Sequence, residues 1–214
     1  MRMSQTFAIR PVGDHSVLLE LESNATVHAV AAATRERFGD QLVEVVPGHN
    51  TLLLVCPAGA VLPDFAELAA VAASSAEQPG NNAAGSSEAQ LISIPVRYDG
   101  EDLMAVAQAL GVDRERVIEL HQARLYTVAF MGFAPGFPYL VGLPRELELP
   151  RLEVPRLQVP VGSVAVAAGY CGIYPCSSPG GWNLLGQTDV ILFDPERESP
   201  ALLAPGDRVR FERA

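Results

Sequence analysis

Short alternating runs open the chain. Residues 7–10 and 16–21 alternate apolar and polar positions and read as two strands, with Gly13-Asp14 as the turn. Helical spacing follows: Val27, Val30, Ala31 and the run 34–38 share one face, Asn24 stands as N-cap and Gly39 as stop. Alternation returns at 42–46 and 51–55 around Pro47-Gly48-His49-Asn50, which predicts a hairpin with a four-residue loop. Pro63 then opens a helix over 64–73. A small sheet with helices on one face satisfies this order, so residues 1–73 are expected to form a small α/β sandwich-like domain.

Residues 74–90 are small, polar and without periodicity. They cannot bury enough apolar surface to offset their ordering entropy, and a flexible link is expected. After it come a strand at 91–97, the Asp99-Gly100 turn, and a helix marked by Leu103, Val106, Ala107 and Leu110. Asp113 caps a second helix that carries Val117, Ile118 and His121 on one face. From Leu125 onward the pattern is all-β, with short strands at 126–131, 163–168, 172–174, 182–185, 190–193 and 207–211. Gly and Pro punctuate them densely. That combination predicts a closed or nearly closed β-barrel over 91–214, and an α+β chain as a whole.

Composition narrows the chemistry. The 214 residues carry a net charge of −10, and the 15 basic residues are all arginine and scattered, which argues against nucleic acid or an anionic membrane surface as partner. Without lysine there is no Schiff-base lysine, Walker lysine or biotin-accepting lysine in this chain. The longest apolar run, 27–33, is far short of the roughly 20 residues of a membrane span. The first ten residues show no apolar signal core, so a cytoplasmic protein is expected. Cys56, Cys171 and Cys176 are odd in number and lack CxxC spacing, so buried thiols are expected rather than disulfides. His15, His28 and His49 have no ligand spacing, and no metal is expected.

The stretch from 126 to 188 holds the candidate chemistry. It contains Gly132-Phe133-Ala134-Pro135-Gly136-Phe137-Pro138-Tyr139-Leu140, Pro155-Arg156, Val159-Pro160-Val161-Gly162-Ser163, Gly172-Ile173-Tyr174-Pro175 and Ser178-Pro179-Gly180-Gly181-Trp182. Loops of this kind are rigid and can turn backbone N–H groups toward an anion or oxyanion, with aromatic rings as walls; as bare sequence they read equally well as barrel corners.

These motifs, with Asn183-Leu184-Leu185-Gly186 and the tail from Phe193-Asp194-Pro195 to Phe211, resemble the family of the 5-oxoprolinase B subunit, also called allophanate hydrolase subunit 1 or KipI-like. The resemblance is strong over 91–211 and weak before it. It implies an N-terminal α/β domain and a C-terminal cyclophilin-like barrel. It implies two partners, a homologous cyclophilin-like C subunit and the A subunit of 5-oxoprolinase. It implies ATP-dependent opening of the 5-oxoproline lactam to glutamate by the assembled set, with the chain inactive alone. ATP is then used in the complex, at a site this sequence does not reveal. Other relatives of that family imply two alternatives: an inhibitor of a sensor histidine kinase, and an amide hydrolase or carboxyltransferase subunit of the allophanate and urea pathway. The sequence departs from the family pattern at Tyr170-Cys171 and at Gln187.

Individual residues follow. Arg156, in the family's Pro-Arg motif, is the first catalytic candidate, since a guanidinium offers a fixed fork to an anion; its alternative is an ion pair with a neighbouring acid. His121, which matches a histidine of the family's helix, is the candidate general base, or else a cation at a helix C-terminus. Tyr174 is a candidate hydroxyl donor. Gly180, Gly181, Trp182 and Ser178 are candidate substrate contacts, with Trp182 also readable as a packing anchor. Ser178 has no GxSxG frame and is not a nucleophile candidate. Phe133, Phe137 and Tyr139 are candidates for a partner interface. Arg151 reads as a solvated loop charge.

Overall fold

A computed structural model describes residues 7–76 and 89–214. The chain divides into two compact units, Met1–Ala89 and Gln90–Ala214.

In the first unit β1 (Ala8–Val12), β2 (Ser16–Glu20), α1 (Asn24–Phe38), β3 (Glu44–Pro47), β4 (Thr51–Val55) and α2 (Phe65–Ala76) follow one another. The sheet is antiparallel in the order β1-β2-β4-β3. Its inward positions alternate as the sequence does: Val17 faces Leu54 and Leu19 faces Leu52 across β2 and β4. These pack with Val27, Val30, Ala31 and Phe38 of α1 and Leu68 and Ala72 of α2. The cap of α1 is Ser23, whose Oγ accepts from the Thr26 N–H at 3.2 Å. Asn24, expected in that role, instead donates from Nδ2 to the carbonyls of Gly48 and His49. Helix α2 runs into the stretch expected as a link, through Ala76; residues 77–88 of that stretch lie outside the described residues.

The second unit contains β5 (Leu91–Val96), α3 (Leu103–Leu110), α4 (Arg114–Gln122), β6 (Leu125–Met131), β7 (Pro138–Val141), β8 (Arg156–Val159), β9 (Ser163–Ala167), β10 (Tyr170–Ile173), β11 (Ser178–Gly180), β12 (Asn183–Gln187) and β13 (Arg208–Arg213). Seven strands form one sheet, β12-β9-β10-β7-β6-β13-β5, with only the β13–β5 pair parallel. Its two edge strands meet through one antiparallel bridge, Arg97 with Gln187, whose N–H groups each donate to the other's carbonyl at 2.8 Å. The turn after β5 extends the seam: the Gly100 and Asp102 N–H groups donate to the carbonyls of Leu185 and Leu184. Backbones approach so closely here that a Cβ on Gly100 or Gly186 would collide with the facing strand. The sheet is thus the nearly closed barrel that the strand pattern predicts.

Leu103, Val106, Ala107, Val117 and Ile118 of the two helices complete the barrel core with Val128, Leu140, Val164, Val166, Val209 and Phe211. Strand β9 is buried along its whole length. Its Val164 and Val166 belong to that core, while Ala165 and Ala167 belong to a second apolar layer with Phe137, Val159, Tyr174, Trp182 and Leu184. Strands β8 and β11 pair only with each other, as a two-stranded ribbon. The run 190–193, expected as a strand, makes only the isolated bridge Phe193–Ala201. Leu192 is buried and its carbonyl accepts from the Leu202 N–H, so the alternation there marks a loop stitched to the barrel.

Candidate functional site

One cavity of about 100 Å³ is lined by Phe133, Phe137, Tyr139, Arg151, Tyr174, Gly180, Gly181 and Trp182. Seven of these eight are residues that the sequence marks, drawn from three separate motifs. The aromatic wall is built on small residues. Ala165 and Ala167 lie beneath it in the same apolar layer. Gly172 leaves room for the rings, since a Cβ there would stand 2.8 Å from Phe137 and 2.9 Å from Trp182. Phe137 meets Tyr174 and Trp182 edge-on, at 5.1 and 5.6 Å between centroids. Gly180 lets the Tyr174 ring lie on the β11 backbone; any Cβ there would strike the hydroxyl.

Tyr174 is held protonated. Burial pushes its hydroxyl up from the usual phenol range and Tyr139 adds to this, against the pull of Arg151, the Trp182 backbone and Arg156. It is therefore a hydrogen-bond donor at neutral pH. Arg151, read from sequence as a solvated charge, stands in the cavity wall and makes no ion pair among the described residues. The cavity thus combines aromatic walls, the Tyr139 and Tyr174 side chains and one guanidinium, a set suited to a small molecule with an anionic group.

Arg156 does not line this cavity. Its Nη2 donates to Asp102 Oδ1 at 2.6 Å and its Nε to Glu101 Oε2 at 3.1 Å. Asp102 Oδ2 in turn accepts from the Leu184 N–H at 2.7 Å. The arginine expected to hold an anion therefore has its anions within the fold, and it ties β8 to the start of α3 and to β12. The guanidinium is thus engaged outside the cavity lining, with Nη1 buried and without a partner among the described residues.

The expectation for His121 is corrected. Its ring is fully buried in the barrel core, where Nδ1 pairs with the Tyr98 hydroxyl at 2.8 Å and Nε2 with Cys171 Sγ at 3.3 Å. Phe211 packs against it at 4.5 Å between centroids. Burial depresses the imidazole to about 3, so it is neutral, is not a helix-end cation and has no route to a ligand as a base. Because the unfolded chain binds that proton near pH 6.5, the depressed value stabilises the fold above that pH, and the contribution is lost as pH falls toward 3. From pH 7 to 5 the stability is expected to drop by about 2 kcal/mol from this group alone. Urea unfolding at both pH values checks this: the drop should shrink in His121→Asn, and an equal drop in both proteins would refute it.

The remaining candidates separate. Ser178 lies on β11 outside the cavity lining, with a buried Oγ that has no partner among the described residues. Phe137 is 2% exposed, so it is cavity wall and not a partner surface; Tyr139 stacks on Phe130 at 4.3 Å and is partly buried. Phe133 alone of the three is open to solvent. Tyr170 stands behind the wall, edge-on to Tyr139 at 5.5 Å. Gln187 Nε2 donates to the Val161 carbonyl at the barrel seam, so that departure serves closure of the barrel. Cys176 is exposed, whereas Cys56 and Cys171 are buried thiols as expected.

The family model for the carboxyltransferase domain, subdomains C and D, matches residues 7–203. The B subunit of 5-oxoprolinase from Escherichia coli O157:H7 is 41% identical over 94% of this chain and 93% of its own length. The chain belongs to the family of the 5-oxoprolinase B subunit. Among solved structures, TTHA0988 is 40% identical with a TM-score of 0.77; the match covers 94% of this chain and 40% of that longer chain. The Kluyveromyces lactis urea carboxylase shares the fold at 19% identity and a TM-score of 0.65, over 97% of this chain and 22% of its own. No helix among the described residues is long and apolar enough to cross a membrane.

Proposed function

We propose that the chain is the B subunit of a heteromeric, ATP-dependent 5-oxoprolinase that opens the lactam of 5-oxoproline to glutamate, in the cytoplasm and together with the C and A subunits. The observation that carries the proposal is the cavity around Arg151, found in a chain whose relatives are named for the B subunit of 5-oxoprolinase over nearly their full length. A five-membered lactam carboxylate matches its chemistry. The Arg151 guanidinium takes the carboxylate as a fork, the aromatic walls cover the ring, and the protonated Tyr174 hydroxyl is the donor for the lactam oxygen. TTHA0988, in which the matching region is 40% of a longer chain, supports the expectation that this fold works beside further protein.

ATP does not fit the same cavity. At about 100 Å³ it lies below the roughly 300 Å³ at which larger ligands begin to be enclosed. We therefore place the nucleotide outside this cavity, at a site completed by the assembled subunits. The test is co-purification with the neighbouring C and A subunits, followed by glutamate release from 5-oxoproline with and without ATP. Glutamate formed only by the full set with ATP is expected. A stable assembly that releases none from 5-oxoproline would refute the substrate, and failure to assemble would refute the role in a complex.

A further inference from the structure

Phe133 holds a backbone conformation that its ring does nothing to offset. Its φ is 67°, in the left-handed region that Gly or Asn enters readily and a bulky residue rarely does. The Ala134 N–H donates to the Gly132 carbonyl at 2.8 Å and closes a three-residue turn centred on Phe133. With positive φ at its centre this is the strained form of the γ-turn. Among the described residues the other non-glycine at positive φ, Ala168, stands with Gly169 in the two-residue turn between β9 and β10, where hairpin geometry calls for it. Phe133 instead opens the four-residue loop 133–136 of the β6–β7 hairpin, which the Gly132 N–H closes by donating to the Phe137 carbonyl at 3.2 Å; loops of that length are mostly built around a type I turn, whose first residue has negative φ.

Burial does not explain it either. The side chain is 61% exposed, although it is a large aromatic. What it does have is a position. It lines the cavity, and its ring meets Phe137 and Tyr174 edge-on at 5.3 and 6.1 Å. Strain and exposed apolar surface on one residue at the rim of a site point to a contact completed by a bound molecule.

We infer that Phe133 is a ligand-contacting residue, whose ring covers a small cyclic carboxylic acid seated on Arg151. The inference rests on the cavity assigned above to 5-oxoproline. It moves Phe133 from a partner interface to the ligand.

Trp182 is the single tryptophan of the chain and lines the same cavity, so its fluorescence reports on that cavity alone. The experiment compares full-length wild type, Phe133→Asn and Phe133→Tyr. Asn suits the left-handed backbone, so its melting temperature is expected within about 3 °C of wild type or above it. Acrylamide quenching of Trp182 should rise about twofold in Phe133→Asn, because the ring that shields the cavity is gone. Affinity for 5-oxoproline, followed by the same fluorescence, should fall about tenfold in Phe133→Asn and stay within about threefold in Phe133→Tyr. Unchanged quenching and affinity in Phe133→Asn would overturn the inference. So would retained affinity with lost association with the C subunit, which would make Phe133 a partner contact, or retained affinity with a collapsed melting temperature, which would make it structural. A wild type that ignores 5-oxoproline while quenching still rises in Phe133→Asn would refute the substrate reading and support the covering role of the ring.

Discussion

Arg151→Ala is expected to weaken binding of 5-oxoproline while leaving the fold intact. The side chain is exposed, makes no ion pair among the described residues and packs only at the cavity wall, so its loss removes nothing that holds strands together. Its loss does remove a charge-assisted fork to a carboxylate, at a solvent-exposed rim where water competes with it. Such an interaction contributes about 1.5 kcal/mol, or roughly tenfold in affinity or kcat/KM. Arg151→Lys keeps the charge and loses the fork, so it should fall between the two. The decisive control is the neutral lactam 2-pyrrolidinone, which lacks the carboxylate. It should bind weakly, and equally so, to wild type and Arg151→Ala, as read by Trp182 fluorescence or by competition in the assembled enzyme. If Arg151→Ala weakens both ligands alike, the arginine shapes the cavity and does not read the carboxylate. If it weakens neither, the cavity is not the 5-oxoproline site.

The sequence pattern and the structure agree where burial is one-sided. Val17, Leu19, Leu52 and Leu54 alternate because one face of a small sheet is covered by helices, and period-two patterning makes such strands readable. Agreement fails where strands are short, rich in Gly and Pro, and paired in a ribbon. Strands β8 and β11, with their Pro-Arg and Ser-Pro-Gly, read as loops because Pro179 and Gly180 lack strand propensity; position at an edge, not preference, makes them strands. The aromatic and glycine motifs mark the cavity correctly, since close ring packing on Gly172 and Gly180 requires those glycines. The two arginines divide in a way that the sequence does not show. Arg151 and Arg156 flank the same Pro155 loop, and nothing local in the sequence separates them. The difference lies in Asp102, 54 residues away from Arg156, which reaches one guanidinium, while the other has no ion pair among the described residues. His121 misleads for a related reason. A lone polar residue on an apolar helix face signals either a site or a satisfied core group, and the partners that decide it, Tyr98 and Cys171, come from distant segments.

Arg156→Ala should destabilise the second unit by about 3 kcal/mol and spare ligand affinity, the reverse of Arg151→Ala. The side chains of Arg156 and Asp102 are 21% and 13% exposed, so the pair is largely withdrawn from water. Removing the guanidinium leaves Asp102 with only the Leu184 N–H, beside the seam where the barrel closes. A buried carboxylate stripped of its cation is the larger part of the loss. Asp102→Asn in the Arg156→Ala background should therefore recover about 1 kcal/mol, because the amide oxygen can still accept from Leu184 without a net charge. Glu101, whose side chain is mostly exposed, contributes little, and Glu101→Gln should cost under about 0.5 kcal/mol. Urea unfolding of wild type, the two single variants and the double variant gives the cycle. Affinity for 5-oxoproline, measured well below each melting temperature, should stay within about threefold of wild type in Arg156→Ala, since the backbone pairing of Arg156 with Gly180 survives truncation of the side chain. A stable Arg156→Ala protein with a hundredfold loss of affinity would return this arginine to the ligand site and show that Asp102 and Glu101 hold it only until an anion arrives.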